Sequence, residues 1–486
     1  MREGLFLKML KYTSHILFSF LRYRVSATPT PQTRCFSTKK ITRTTNLNDY
    51  FKSQNLSIQQ ESILEAITKT QSVFISGPAG TGKSFVVSLA TELLRRKIYQ
   101  PSEVFVTAST GVAACALNGQ TLHSFAGIGL GEGDKEVLFR KVLKNAKACG
   151  RWRTAKALVI DEISMIGCEL FEKLEYIARN IRGVAYMNKP WGGIQLIVSG
   201  DFFQLPPIVK QKQGFGKEFA FEAMFWNDSF DLQVELTQIF RQTDTEFIDL
   251  LQGVRRGRKD EHHLGVLYRC CNELRDSLET VPNLFPRNVD VNRVNEERLR
   301  RLGKETFKYI ARDSGKNPWK GQLKLGMAPD ELEICIDARV MLIKNKDLSA
   351  GLVNGAAGTV IDFVEAAGKK HCGICANGLL PKVRFDSGLV AVVNPETWEV
   401  VEGDVKLATR TQIPLILAWA VSIHKCQGMT LECLHTDLSR AFGYGMVYVA
   451  LSRVRSLKGL YLSGFNSSKI KAHPKVLEFY DKSFCS

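Results

Sequence analysis

The chain has 486 residues, 44% of them hydrophobic and 24% charged, the balance of a soluble globular protein and too long for one ordinary core, so two or more domains are expected. Its twelve cysteines lack regular spacing, which excludes a disulfide framework and indicates reduced thiols in a matrix or cytosol. The formal net charge is +17; residues 1–50 carry nine Lys or Arg and two acidic residues, leaving +10 on the body, an excess compatible with a polyanionic partner.

The opening "MREGLFLKMLKYTSHILFSFLRYR" sets Lys8, Lys11, His15 and Arg22 near one helical face, with Phe6, Met9, Ile16 and Phe20 largely elsewhere. It reads as a basic amphipathic helix, broken by charge too often to supply the roughly 20 apolar residues that span a bilayer; no membrane association is expected. The segment that follows, to residue 48, has no acidic side chain and many Ser and Thr, as in a mitochondrial transit peptide. "RCFST" at 34–38 looks like a matrix processing site. Residues 1–36 are therefore expected to be a mitochondrial presequence cleaved near Phe36, and 37–52 a linker. A disordered basic tail addressing a nucleus or touching nucleic acid would have the same composition.

"VFISGPAGTGKSFVVSLATELL" is an apolar strand, a glycine loop and an amphipathic helix in that order, and Gly77, Gly82, Lys83 and Ser84 fit the phosphate-loop pattern G-x-x-x-x-G-K-S. In such a loop, here Gly77, Pro78, Ala79, Gly80, Thr81 and Gly82, backbone amides converge on phosphate oxygens. Lys83 reaches the outer phosphates and the Ser84 hydroxyl binds magnesium. A second strand, "AKALVIDEISMI", ends in two carboxylates: Asp161 is the expected magnesium ligand, direct or through water, and Glu162 can polarise an attacking water. Together with the phosphate loop this reads as a hydrolase site, not merely a nucleotide clamp. Only Cys115 and Cys149 lie between the two stretches, too few for an iron–sulfur cluster, and "CGIC" at 372–375 is a single pair without a second metal pair nearby.

"GDFFQLPPI", 200–208, closes a buried strand with paired prolines that cannot continue it. Ligands of a parallel sheet sit beyond the carboxyl ends of its strands. Lys83, Asp161 and Gln204 are therefore expected to face one phosphate group, with Gln204 sensing whether the terminal phosphate is present.

These residues and their neighbours carry a resemblance. "LSIQQESI", "GPAGTGKS", "TASTGVAACALNGQTLHSFAGI", "VIDEISMI", "GDFFQLPP", "LTQIFRQ", "LVNGAAGTV", "LAWAVSIHKCQGMTLE" and "VYVALSRVRSLKGL" are similar, in order, to the blocks of the Pif family (petite integration frequency), superfamily-one 5′-to-3′ DNA helicases, from about Leu56 to Phe465. "EISMIGCELFEKLEYIARNIR" resembles the segment that separates this family from its RecD relatives. The resemblance implies an ATP- and magnesium-dependent helicase acting on single-stranded DNA and on forked or 5′-tailed duplex, in replication, repair and recombination. It leaves quadruplex DNA, RNA–DNA hybrids and a monomeric free state as expectations. It assigns Gln60 to reading adenine, and Arg241 and Arg453 to reaching the phosphates from the second domain; fixed arginines are the cations that neutralise charge in phosphoryl transfer. For the DNA strand it points to Thr110, His123 and Phe125 in the first domain and to His424 and Lys425 in the second, residues that could equally pack strands and helices. Gln427 would couple the two sides.

The expected fold class is α/β: two RecA-like P-loop domains, with a small wedge insertion in the first and a small β-barrel in the second. The first domain is expected over 53–126 and 156–236, around a wedge at 127–155 whose glycine hinge precedes a basic helix with Phe139 and Trp152. The second is expected over 237–362 and 412–470, around a barrel at 363–411, with 471–486 a C-terminal tail. Two departures from the family pattern stand out: Met446 and Val447 follow Gly445 where Gly-Gln is usual, and Cys426 replaces a commoner Ser or Ala.

Overall fold

The computed structural model of the protein describes residues 54, 56–207, 216–272, 281–285, 287–317, 319–324, 326–347, 350, 352–365, 374, 378–402, 405–423, 426 and 429–484. The expected presequence, 1–36, and the expected linker, 37–52, lie outside them.

In the first lobe, β1 (Val73–Ser76), β2 (Val104–Ala108), β3 (Gln120–Thr121), β4 (Ala157–Asp161), β5 (Gln195–Ser199) and β6 (Leu232–Glu235) form a parallel sheet in the order β3-β2-β4-β5-β1-β6. β1, β2, β4 and β5 are buried along their whole length, as expected of parallel strands covered on both faces. Alternation divides them: Val73 and Ile75 pack with α1 (Ile58–Thr68) and α2 (Lys83–Leu93), whereas Phe74 faces the opposite core. Two short helices, α3 (Gly111–Ala116) and α4 (Leu122–Ala126), lead into the wedge segment.

The wedge segment holds two helices, α5 (Lys135–Lys144) and α6 (Ala146–Thr154), rather than one. Asn145 breaks the run: its backbone is extended and its side chain caps the second helix through the Ala148 N–H at 3.1 Å. Trp152 is fully buried and donates to the Ala126 carbonyl at 3.2 Å, so it belongs to the core. The exposed apolar side chains here are Leu130, Val137 and Leu143. α7 (Cys168–Ile181) then covers the second face of the sheet.

The second lobe opens with α8 (Thr245–Arg255), α9 (Glu261–Asn272), β7 (Asn283–Phe285) and α10 (Asn288–Arg301). A long antiparallel insertion follows: β8 (Phe307–Ile310), β9 (Arg312–Gly315), α11 (Trp319–Lys324), β10 (Glu331–Ile334), β11 (Arg339–Leu342), β12 (Ala357–Glu365), β13 (Leu379–Phe385), β14 (Val390–Val392), β15 (Glu396–Glu402), β16 (Val405–Gln412) and β17 (Leu415–Leu417). These strands are distributed over three sheets, β14-β13-β12-β11-β17, β15-β16-β9 and β10-β8. The β-rich segment is thus wider than 363–411, because β16 pairs with β9 and β12 with β11. Short polar strands such as "RDSG" carry no apolar alternation and read as loop.

β18 (Ala420–Ser422), β19 (Leu434–Asp437) and β20 (Leu460–Gly464) complete a second parallel sheet in the order β18-β7-β19-β20, with α12 (Met446–Leu451) between β19 and β20. The expected tail contains a further helix, α13 (Pro474–Phe484), which returns to the first lobe and buries Val476, Phe479 and Tyr480 in the core beside Phe74 and Phe202. Among the described residues no helix is long and apolar enough to cross a membrane.

Candidate nucleotide site and its link to the second lobe

β4, β5 and β1 are neighbours in the first sheet, so Asp161, the turn bearing Gln204 and the loop bearing Lys83 emerge side by side at one edge. Gly80 sits at φ +88°, and a Cβ there would fall 2.7 Å from the Cβ of Arg241, so glycine alone permits this approach. The same contact is fixed by the Phe240 N–H, which donates to the Gly80 carbonyl at 2.8 Å. Lys83 Nζ donates to the carbonyls of Gly77 at 2.6 Å and Pro78 at 3.0 Å. Gln60 is buried beneath the loop: its Nε2 donates to the Thr81 carbonyl at 3.2 Å, while its Oε1 accepts the Ser57 N–H at 3.1 Å in a capping box that starts α1. The amide of Gln60 therefore ties the phosphate loop to the start of α1.

Asp161 is buried, accepts the Ser199 hydroxyl and receives the Glu162 N–H at 2.9 Å. Burial raises its pKa, and the bonds from Ser199 and Glu162 and the charge of Lys83 pull it back. Glu162 has φ +55°, a left-handed backbone that costs an ordinary residue roughly 1–2 kcal/mol. Its carboxyl is raised to about 7, first by burial and then by Asp161, against the pull of Lys83 and Arg453. Burial lowers the Lys83 pKa while Asp201, Glu162 and Asp161 hold the proton on. A raised carboxyl beside a desolvated ammonium is the kind of perturbation that clusters at functional sites.

Arg241 and Arg453 meet across one residue. Arg241 Nη1 donates to the Ser452 carbonyl at 2.9 Å, and Arg453 Nη2 to the Ser452 hydroxyl at 2.7 Å. Arg453 also donates to the carbonyls of Val449 at 2.9 Å and Cys426 at 3.3 Å, so none of these partners is a carboxylate. Burial lowers both pKa values, and the charge of Arg453 lowers that of Arg241 further. Gln242 Nε2 adds a bond to the Val454 carbonyl at 2.8 Å. Gln204 is buried, and its backbone N–H donates to the Asp201 carbonyl at 2.9 Å.

Ser84, Asp161 and Glu162 line one end of a cavity of about 520 Å³ that runs on past Thr110 to Trp398 of the insertion. Thr110 caps α3 by accepting the Ala113 N–H at 3.2 Å. His123 is half-buried, and desolvation lowers its pKa. Phe125 is not a stacking platform: its ring is fully buried, 5.1 Å from Phe105 and 4.8 Å from Trp152. His424, Lys425 and Gln427 lie outside the described residues.

A family model for PIF1-like helicases matches residues 55–264, and one for the 2B domain of DNA helicase Pif1 matches residues 323–363. A crystal structure of Pif1 helicase from Candida albicans is 39% identical, with 88% of this chain and 98% of that chain covered and a TM-score of 0.65. The chain belongs to the PIF1-like helicase family. ATP-dependent DNA helicase PIF1 of Danio rerio is 42% identical over 434 residues, 88% of this chain, and the chain spans 64% of that relative's length. A Bacteroides Pif1 crystallised with ADP-AlF3 and single-stranded DNA is 27% identical, covered to 98%, with a TM-score of 0.55. The two parallel sheets are those of two RecA-like domains.

Several residues at the seam escaped the sequence reading. The Tyr448 hydroxyl accepts the Ala79 N–H of the phosphate loop at 2.8 Å. Arg255, at the end of α8, forms a bidentate buried pair with Asp201, at 2.9 and 3.2 Å, and reaches Glu235 at 2.7 Å. Asp201 and Tyr448 stand inside quoted motifs and were within reach; Arg255, in "GVRRG", has no local signal. Met446 occupies the place of the expected Gln, and its buried sulfur accepts the Gly443 N–H at 3.2 Å.

Proposed function

We propose that the protein is an ATP-dependent DNA helicase that moves 5′ to 3′ along single-stranded DNA and opens duplex, in maintenance of the mitochondrial genome. The observation that carries this reading is the convergence of Lys83, Asp161, Glu162 and Gln204 on three adjacent strand ends, with Arg241 of the connecting segment packed on the same phosphate loop and bonded to the second lobe beside Arg453. The Bacteroides relative, crystallised with a nucleotide analogue and single-stranded DNA, supports the choice of ligands.

ATP binding moves Lys83 from the loop carbonyls to the outer phosphates, where its ammonium neutralises charge. Glu162 accepts the proton of the attacking water, Gln204 bonds the terminal phosphate or that water, and Arg241 and Arg453 meet the charge that develops on the phosphoryl oxygens. The paired carboxylates and the Ser84 hydroxyl fit magnesium, which would be held by Ser84 and Asp161 with water completing its shell. When bound it would supply positive charge to offset that of the phosphates. Closure of the lobes on ATP and their release after cleavage advance the strand through the groove past Thr110.

A strand-displacement assay on duplexes with a 5′ or a 3′ single-stranded tail tests the reading, with ATP consumption followed in the same tubes. Unwinding from the 5′ tail is expected, with Lys83→Ala inactive but still bound to single strands. ATP turnover without displacement would reduce the protein to a remodeller of nucleoprotein, and displacement from the 3′ tail would reverse its direction. Imaging a fusion with and without residues 1–36 tests the mitochondrial address.

A further inference from the structure

The chain's last helix inserts a single hydroxyl between two parts of the nucleotide site. Tyr480 is fully buried. Its oxygen shares a hydrogen bond with the hydroxyl of Ser76, the last residue of β1 before the phosphate loop. It also accepts the Phe202 N–H at 3.2 Å and donates to Asp201 Oδ1 at 3.3 Å, which uses the full capacity of a phenol. β1 and β5 are adjacent parallel strands, so the bond network ties their two outgoing turns together.

Asp201 is where three elements meet. Its carboxylate accepts the Phe203 N–H at 3.2 Å and so folds the turn that carries Gln204. Arg255 grips the same carboxylate from α8, and its guanidinium lies 4.5 Å from the Phe203 ring and 5.1 Å from the Tyr480 ring. α8 begins just after Arg241 and Gln242, which are bonded to Ser452 and Val454 of the second lobe. One helix therefore connects the arginine pair to the sensor turn. A fully buried ion pair is poorly explained by stability alone, since apolar side chains of like volume often serve as well.

We infer that Tyr480 and Arg255 are positioning residues of the ATP site, acting through Asp201 to hold the Gln204 turn against the phosphate loop and to pass its state along α8. The inference rests on the helicase reading. Neither residue lines the cavity onto which Ser84, Asp161 and Glu162 open. Their loss is expected to uncouple hydrolysis from movement rather than to abolish either binding step.

The test compares wild type with Tyr480→Phe, which keeps the ring and removes the hydroxyl, and Arg255→Lys, which keeps the charge and removes the fork. Base pairs opened per ATP hydrolysed are measured on a 5′-tailed duplex, together with the KM for ATP and the thermal midpoint. The expected result is a fall of about fivefold or more in base pairs per ATP, with KM within about twofold of wild type. A wild-type ratio in Tyr480→Phe overturns the inference, and so does a parallel loss of hydrolysis and unwinding that tracks a lowered midpoint, the mark of a purely structural role. Should Arg255→Lys fail to fold, Tyr480→Phe decides alone. A wild-type protein that hydrolyses ATP without unwinding would instead defeat the helicase reading.

Discussion

The hydroxyl of Tyr448, on a helix of the second lobe, accepts the backbone N–H of Ala79 in the phosphate loop of the first at 2.8 Å. The two halves of the nucleotide site are thus joined by a direct bond at its glycine loop. Tyr448→Phe keeps the ring and leaves that N–H without its acceptor, so the nucleotide-free protein is expected to lose about 1 kcal/mol of stability. Urea unfolding checks this; an unchanged midpoint would mean that water replaces the phenol without cost.

Glu162 ties stability to pH. Its carboxyl is raised to about 7 in the fold, from an ordinary value of 4.5. As pH rises the unfolded chain ionises first, so the group destabilises the fold progressively between those values and fully above them. Glu162→Gln is therefore expected to raise the melting temperature of the nucleotide-free protein at pH 8 and to do so much less at pH 5. DNA-stimulated hydrolysis should fall about a hundredfold or more with loss of the base. Equal melting shifts at both pH values would remove the electrostatic account.

Phe125 provides a test of core against groove. With its ring between Phe105 and Trp152, Phe125→Leu is expected to cost about 1 kcal/mol of stability and to leave single-strand affinity unchanged. Fluorescence anisotropy with a labelled oligonucleotide checks the second half. A loss of affinity without a loss of stability would return the ring to the DNA.

Gln204→Ala is expected to bind ATP normally and to open fewer base pairs for each ATP consumed, because the side chain proposed to sense the terminal phosphate is gone while Lys83 and the arginines remain. Wild-type coupling in that variant would refute the sensor role.

What the sequence disclosed followed from local chemistry. "GPAGTGKS", "VIDEIS" and "GDFFQLPP" each end a buried strand in residues that only a phosphate site needs together, and three such ends in one parallel sheet leave little freedom of placement. Phe125, placed by its family motif, and Trp152, placed in a basic helix, were misleading because an aromatic ring has the same sequence appearance whether it faces DNA or the core. Among the insertion's first strands, "RDSG" went unseen because a short, polar strand is held by its partner rather than by its own periodicity, and "FKYI" and "ELEI" because an alternation over four residues is too short to stand out. α13 was read as a tail because its apolar face is short, and its destination, Ser76, is 404 residues away in sequence. Arg255 was missed for the same reason: its partner Asp201 is 54 residues back, in the other lobe.

The central claim is that the second lobe completes the site that cleaves ATP. Single-turnover hydrolysis by Arg453→Lys, with single-stranded DNA present, tests it most directly. A lysine keeps the charge but not the planar fork, so the rate is expected to fall about a hundredfold or more while ATP and DNA affinities stay within about threefold of wild type. Hydrolysis at the wild-type rate would contradict the account.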